Sequence, residues 1–237
     1  MLSQISTIDR VAIGWFISAW LLYSLVVGHF VDTGRSLSSA MDLQRRQWMH
    51  IMARRDLRMI DTGIMNGLQN GTAFFASTSL IAIGGGFALL NDTDQVSGLL
   101  RDLAIADTVP RGLFEIKAIG LTLIFGFAFF EFGWSYRLFN YASILVGATP
   151  SAVHAGEAEA IAAADRAATF TIAAGHHFNH GLRAFFFAVG YLGWFINGWM
   201  LIATTTLVLM MQLYRQFLSP AARAVIQAAG RDRDERR

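Results

Sequence analysis

Residues 62–91 read TGIMNGLQNGTAFFASTSLIAIGGGFALLN, thirty positions without one formal charge, directly after the arginine cluster RRQWMHIMARRDLRMID. A water-soluble domain has little use for such a run. A helix that lies among lipid headgroups and then turns into hydrocarbon produces this order of residues. Composition agrees: 54% of the 237 residues are hydrophobic and 15% are charged, against roughly 25% charged in soluble domains. Eighteen arginines and the single Lys117 face seventeen acids. A net charge of +2 is too small to argue for nucleic acid as a partner, and the basic groups cluster at the ends of apolar runs. The absence of cysteine excludes disulfides, iron–sulfur clusters and thiolate catalysis.

Four apolar runs of bilayer length follow one another, at about 11–31, 72–91, 118–146 and 184–213. They predict an all-α polytopic membrane protein with four transmembrane helices and two amphipathic interfacial helices. Residues 1–218 form one membrane domain, and 219–237 a polar C-terminal tail. The first run is too long for the apolar core of a cleaved signal peptide. The first interfacial helix is expected over 36–61, where Met41, Trp48, Met52 and Met59 fall within about 40° of one another on a helical wheel. Arg46, Gln47, His50, Arg54, Arg58 and Asp61 occupy its opposite face. Arg45, Arg55 and Asp56 fall near the apolar face and need partners of opposite charge or, for the arginines, headgroup phosphates. Gly84, Gly85 and Gly86 in the second run mark either a close-packing site or an unwound segment.

Glu131 stands fourteen residues into the third run, and a carboxylate at that depth is expensive and faces a bundle interior. It is either a structural group on a helix seam or part of an ion or proton relay. The second interfacial helix is the alanine-rich stretch 151–183, where Asp165, Thr169, His176, His180 and Arg183 form one stripe with Asn179 beside it. No break signal separates it from the fourth run, so one long helix over 155–214 is expected. His176 and His180, four residues apart, together with His177 and with His29 at the end of the first run, are the candidate metal or haem ligands. No phosphate-binding glycine loop, nucleophile elbow or hydrolytic triad is present, so enzymatic turnover is the minority reading. Four crossings leave ten basic residues on one side and nine on the other, a tie that the positive-inside rule does not break.

The order RRQWMHIMARRD, NGTAFFASTSLIAIGGG, SYRLFNYASILVGATP and FNHGLRAFFFAVGYLGWFINGW resembles the membrane-protein family known as domain of unknown function 599, over roughly residues 8–218. The resemblance picks out Arg45, Arg46 and Trp48; Ala76, Ser77 and Thr78; Arg137; Asn140; and Gly181, Arg183, Trp194 and Gly198. Where plant members tend to carry proline near 190 and 199, this chain has Gly190 and Trp199, so no proline kink carries over. It implies a four-span membrane protein and supplies no activity.

Three functions stand open at this stage. A channel-like or transporter-like bundle would line a polar interior or ion path with Glu131, Arg45, Arg183, Asn179, Ser77, Thr78 and Ser79. A structural, assembly or lipid-binding protein would use Arg46, Trp48, Arg54, Arg55 and Arg58 against anionic headgroups or a partner. A redox subunit would hold haem or metal on His29, His176, His177 or His180. The chain is expected in a bacterial inner membrane, with lipid and either further copies or a membrane complex as partners and no cofactor in the first two readings.

Overall fold

Capping and proline punctuation divide the chain into helices. In the computed structural model, which describes residues 6–32, 36–102 and 110–226, these are α1 (Thr7–Asp32), α2 (Leu37–Ala53), α3 (Met59–Asn91), α4 (Thr93–Asp102), α5 (Arg111–Ala148), α6 (Ala158–Tyr191) and α7 (Gly198–Leu213). No strand occurs among the described residues. Ser36 opens α2 with a capping box: its Oγ accepts from the Ser39 N–H and the Ser39 Oγ accepts from the Ser36 N–H, each at 3.2 Å. Pro110 precedes α5, and α5 ends two residues before Pro150. Three helices are long and apolar enough to cross a membrane, over Thr7–Gly28, Met59–Asn91 and Arg111–Ala148. At about 1.5 Å per residue α3 and α5 reach about 50 and 57 Å, so each has length to spare beyond a hydrocarbon core of about 30 Å.

Two expected helices are each split. The one expected over 36–61 stops at Ala53, where the Arg54 N–H turns to the carbonyls of Ile51 and Met52, and α3 starts afresh at Met59. Of its expected apolar face, Met52 is fully buried, as is the flanking Met49, while Met59 is exposed. The helix expected over 155–214 breaks at a 3-10 turn, Leu192–Phe195, after which the Asn197 side chain caps α7 by accepting from the Met200 N–H at 2.8 Å. The fourth apolar run is therefore a helical hairpin rather than one continuous helix. Gly190 lies against Thr204, Thr205 and Val208 of α7, and the Arg215 guanidinium lies 5.3 Å from the Phe186 ring, so α7 runs back along the end of α6.

The chain divides into two compact units. Unit 1 comprises Met1–His29, Ser77–Phe129 and Leu182–Arg215. In it Phe16 packs edge-on to Phe187 and Tyr191, Trp20 stacks on Phe187 at 5.3 Å, and the Trp15 Nε1 donates to the Thr206 Oγ1 at 3.1 Å. Its outer positions are apolar: Leu25, Ile81, Leu123 and Trp199 are all about 70% exposed, a surface suited to lipid. The glycine triplet is helical throughout. A Cβ on Gly86 would overlap the Thr122 side chain, while Gly84 and Gly85 face open space, so close packing is what the triplet provides, at Gly86 alone.

Unit 2 comprises Phe30–Ala76, Phe130–Gly181 and Gln216–Arg237. Its core gathers Met49, Met52, Met65, Leu138, Phe139, Ala142 and Val146 around Ala167, Ala168 and Ala174 of α6. The alanine content of α6 thus serves close approach as well as helix propensity.

Candidate functional site

The charged side chains of α2 are spent on neighbours within unit 2. Arg45 donates to the Asp42 Oδ1 at 2.9 Å one turn away, and the other Asp42 oxygen is 2.7 Å from the His176 Nε2 of α6. The Arg45 guanidinium lies flat on α6 because residue 175 is glycine; a Cβ there would stand 2.6 Å from its central carbon. Arg46 and His50, on the next face, both reach the Asp165 Oδ1, at 3.0 and 3.1 Å. Asp61, in the first turn of α3 and 1% exposed, receives the Trp48 Nε1 at 2.7 Å and the Arg55 Nη1 at 2.6 Å. Arg58 donates to the carbonyls of Val146, Thr149 and Pro150, which closes the C-terminal end of α5. Arg54 and Asp56 are exposed.

Arg45 and Arg55, which the helical wheel puts on the apolar face, thus acquire acidic partners, while Asp56 leaves that face because α2 has already ended. The acids that accept them are Asp42 and Asp61, and Asp165 accepts Arg46. The signal was present in the one-turn spacing of Asp42 and Arg45, but a pairing with α6 at sequence separations above one hundred has no local signature.

A second cluster lies on facing turns of α5 and α6. The Glu131 Oε2 is 2.8 Å from the His177 Nδ1 and 3.7 Å from the His180 Nδ1. The three ligand-type atoms lie within 4.8 Å of one another. Glu131 is mostly buried, and Trp134 lies edge-on to His177 with centroids 6.3 Å apart. The histidine pair suggested by spacing, His176 with His180, is therefore not the pair that converges: His176 turns to Asp42, and His177 takes its place beside His180. Glu131 is a seam carboxylate, and it is also the centre of the one group of three metal-ligating side chains among the described residues. The side chain of His29 lies outside the described residues.

Other candidates fall elsewhere. Arg183 belongs to unit 1, where its Nη1 donates to the Ser24 Oγ at 3.0 Å and its guanidinium stands 4.9 Å from the Tyr23 ring. Ser77 is exposed, Thr78 and Asn179 are half-buried and Ser79 is buried. Unit 2 holds a further polar contact that spacing had not suggested: the Gln69 amide nitrogen donates to Asn140 at 2.7 Å and Ser143 at 3.3 Å. Unit 1 holds another. Lys117, the only lysine of the chain, is 2% exposed and donates to the Trp194 carbonyl at 2.6 Å, with its ammonium 5.3 Å from that ring. The Trp194 Nε1 in turn donates to Asp9 at 2.7 Å. A buried cation costs less when its donors are filled and an aromatic face lies beside it.

No curated protein and no solved structure matches the chain. Residues 11–221 match the family described as Protein of unknown function, DUF599, and the chain belongs to that family.

Proposed function

We propose that the chain is a non-enzymatic integral membrane protein that crosses the bilayer five times and presents its charged elements to the cytoplasmic surface as a platform for anionic lipid. The α6–α7 hairpin supports the count. In this reading α1, α3 and α5, each long and apolar enough to cross, are three of the passes, and the two arms of the α6–α7 hairpin are the other two. Asp9, Lys117 and Trp194 gather at one end of them, and Ser24 and Arg183 meet at the other. By chain order, Arg10, Arg101, Arg111 and Lys117 then fall on one side, and the other ten described arginines on the opposite side. The fifth pass thus turns a tie into a strong asymmetry, which the positive-inside rule reads as a cytoplasmic C-terminus, and a bacterial inner membrane is the location this asymmetry fits.

The observation that favours a platform over a conduit is the pairing of Arg45, Arg46 and Arg55 with acids of their own unit, while the exposed Arg54 and Arg137 are the arginines placed to meet headgroups. A conduit needs charged groups facing water, whereas these brace α2 against α3 and α6. The groove of about 290 Å³ among Ile17, Trp20, Leu21 and Phe127 is apolar and suits an acyl chain better than an ion. Arg137 is exposed, donates to the Tyr141 hydroxyl at 2.7 Å and lies 5.7 Å from the Trp134 ring, the aromatic and basic mixture favoured at headgroups.

Reconstitution into liposomes tests this. The protein is expected to raise no cation flux above empty vesicles. In detergent it is expected to retain anionic phospholipid in native mass spectra, with retention reduced severalfold in an R54A/R137A variant. Flux that disappears in Glu131→Gln would replace the platform with a conduit, and retention unchanged in the double variant would remove the lipid contact.

A further inference from the structure

Beyond the platform, which neither needs nor supplies a metal, we infer that Glu131, His177 and His180 form a binding site for a divalent first-row transition metal of the zinc class. The donor set is one carboxylate and two imidazoles with no thiolate, which suits zinc, iron(II), manganese(II) or cobalt(II) and offers nothing to a soft monovalent ion. Both imidazoles present the Nδ1 atom to one oxygen, Glu131 Oε2, at 2.8 and 3.7 Å. Around a tetrahedral ion with bonds of about 2.0–2.2 Å, ligand atoms stand roughly 3.3–3.5 Å apart. The shorter contact has to open by about 0.5–0.7 Å, the longer to close by about 0.2–0.4 Å, and the two imidazole nitrogens to settle at the same spacing, within reach of small side-chain rotations.

A hydrogen bond accounts for His177, whose Nδ1 stands 2.8 Å from the Glu131 Oε2, whereas His180 presents its Nδ1 to the same oxygen at 3.7 Å, beyond hydrogen-bond reach. A cation seated between the three atoms would take a lone pair from each. His177 and His180 are one turn apart on α6, so a single helix face fixes both.

The facing helix is held in register beside the cluster. The Ser135 Oγ donates to the Ala174 carbonyl at 2.8 Å, and Phe132 lies so close to Gly181 that a Cβ there would stand 2.7 Å from the ring. Ligands on two such rigid helices lose little freedom when an ion arrives. The His180 side chain is 49% exposed, which gives an ion an entry and leaves a coordination position for water.

The test uses the full-length chain without a histidine tag, purified in detergent, stripped with chelator and titrated with cobalt(II). One equivalent is expected to bind, with visible d–d bands of a low-symmetry site that zinc displaces. Glu131→Gln, His177→Ala and His180→Ala are each expected to weaken binding at least tenfold. His176→Ala, whose imidazole faces Asp42, is expected to stay within twofold of the wild type. His180→Ala removes a half-exposed side chain and keeps the fold, which a thermal melt of the metal-free variant verifies. Absence of a stoichiometric cobalt spectrum in the wild type, or wild-type affinity in all three ligand variants, overturns the site.

Discussion

Asp61 concentrates the residue-scale argument. One of its oxygens receives both Trp48 and Arg55, while Oδ2 is buried with no hydrogen-bond partner among the described residues. Removing a buried acceptor strands its donors, so Asp61→Ala is expected to lower stability by about 2–4 kcal/mol. Arg55→Ala is expected to cost less because its side chain is 36% exposed. Chemical denaturation in detergent micelles measures both, and equal losses would show that Arg55 rather than Asp61 anchors the turn. The glycine triplet offers a contrast inside one helix. Gly85→Ala meets open space and is expected to stabilise by about 0.5–1 kcal/mol. Gly86→Ala meets Thr122, whose Oγ1 is held on the Ala118 carbonyl, and is expected to destabilise by about 1–3 kcal/mol. The cost of charge near an apolar face was legible in the sequence, because a wheel alone identifies Arg45 and Arg55 as needing partners. Their partners, Asp42 and Asp61, lie three and six residues away, within reach of a local reading, whereas Asp165 and His176 come to Arg46, His50 and Asp42 from more than one hundred residues away and have no local signature.

At the scale of elements, long apolar periodicity located every long helix, and the errors lie at the two breaks. Neither break carries a proline. RRDLRM continues the wheel of α2, and YLGWFINGW continues the greasy run of α6, so nothing local stops either helix. Tertiary contacts stop them instead: Asp61 draws Arg55 and Trp48 together across the first gap, and Lys117 and Asp9 both hold Trp194 at the second. Asn197 was the one local hint, an N-cap residue inside an apolar run. The Glu131 cluster shows the same division. A carboxylate deep in an apolar run announced itself, but the choice between His176 and His177 depends on the rotation of α6 against α5 and has no signature in spacing. If Trp194 anchors the hairpin through Asp9, then Trp194→Phe leaves a buried carboxylate oxygen short of a donor. That variant is expected to cost about 1–3 kcal/mol, and Asn197→Ala about 1 kcal/mol. Denaturation midpoints check the pair, and a neutral Trp194→Phe would mean that the glycines at 190, 193 and 198 set the reversal unaided.

At the scale of the whole molecule, the parity of the crossings decides where the ends of the chain lie. Four crossings put both termini on one side, and five separate them. In the five-pass proposal the odd count rests on the α6–α7 hairpin, in which Gly190 meets Thr204 while Gly198 meets Asp9, so that α7 begins at the end of unit 1 where α1 begins. The Trp15 contact to Thr206 then makes α1 and α7 parallel neighbours. Parallel neighbours that start at the same end leave the chain beyond Leu213 opposite the residues before Thr7. The native chain has no cysteine, so single cysteines report sidedness without a background to remove. Positions Ser6, Gln95, Gly156 and Ala221 are all exposed and suit a thiol. In intact spheroplasts a membrane-impermeant maleimide is expected to label Ser6→Cys and Gln95→Cys, and to reach Gly156→Cys and Ala221→Cys only after permeabilisation. Labelling of Ser6→Cys and Ala221→Cys from the same side would return the count to an even number. The fourth apolar run would then be one crossing, the basic residues would balance again, and the cytoplasmic platform would lose its charge argument.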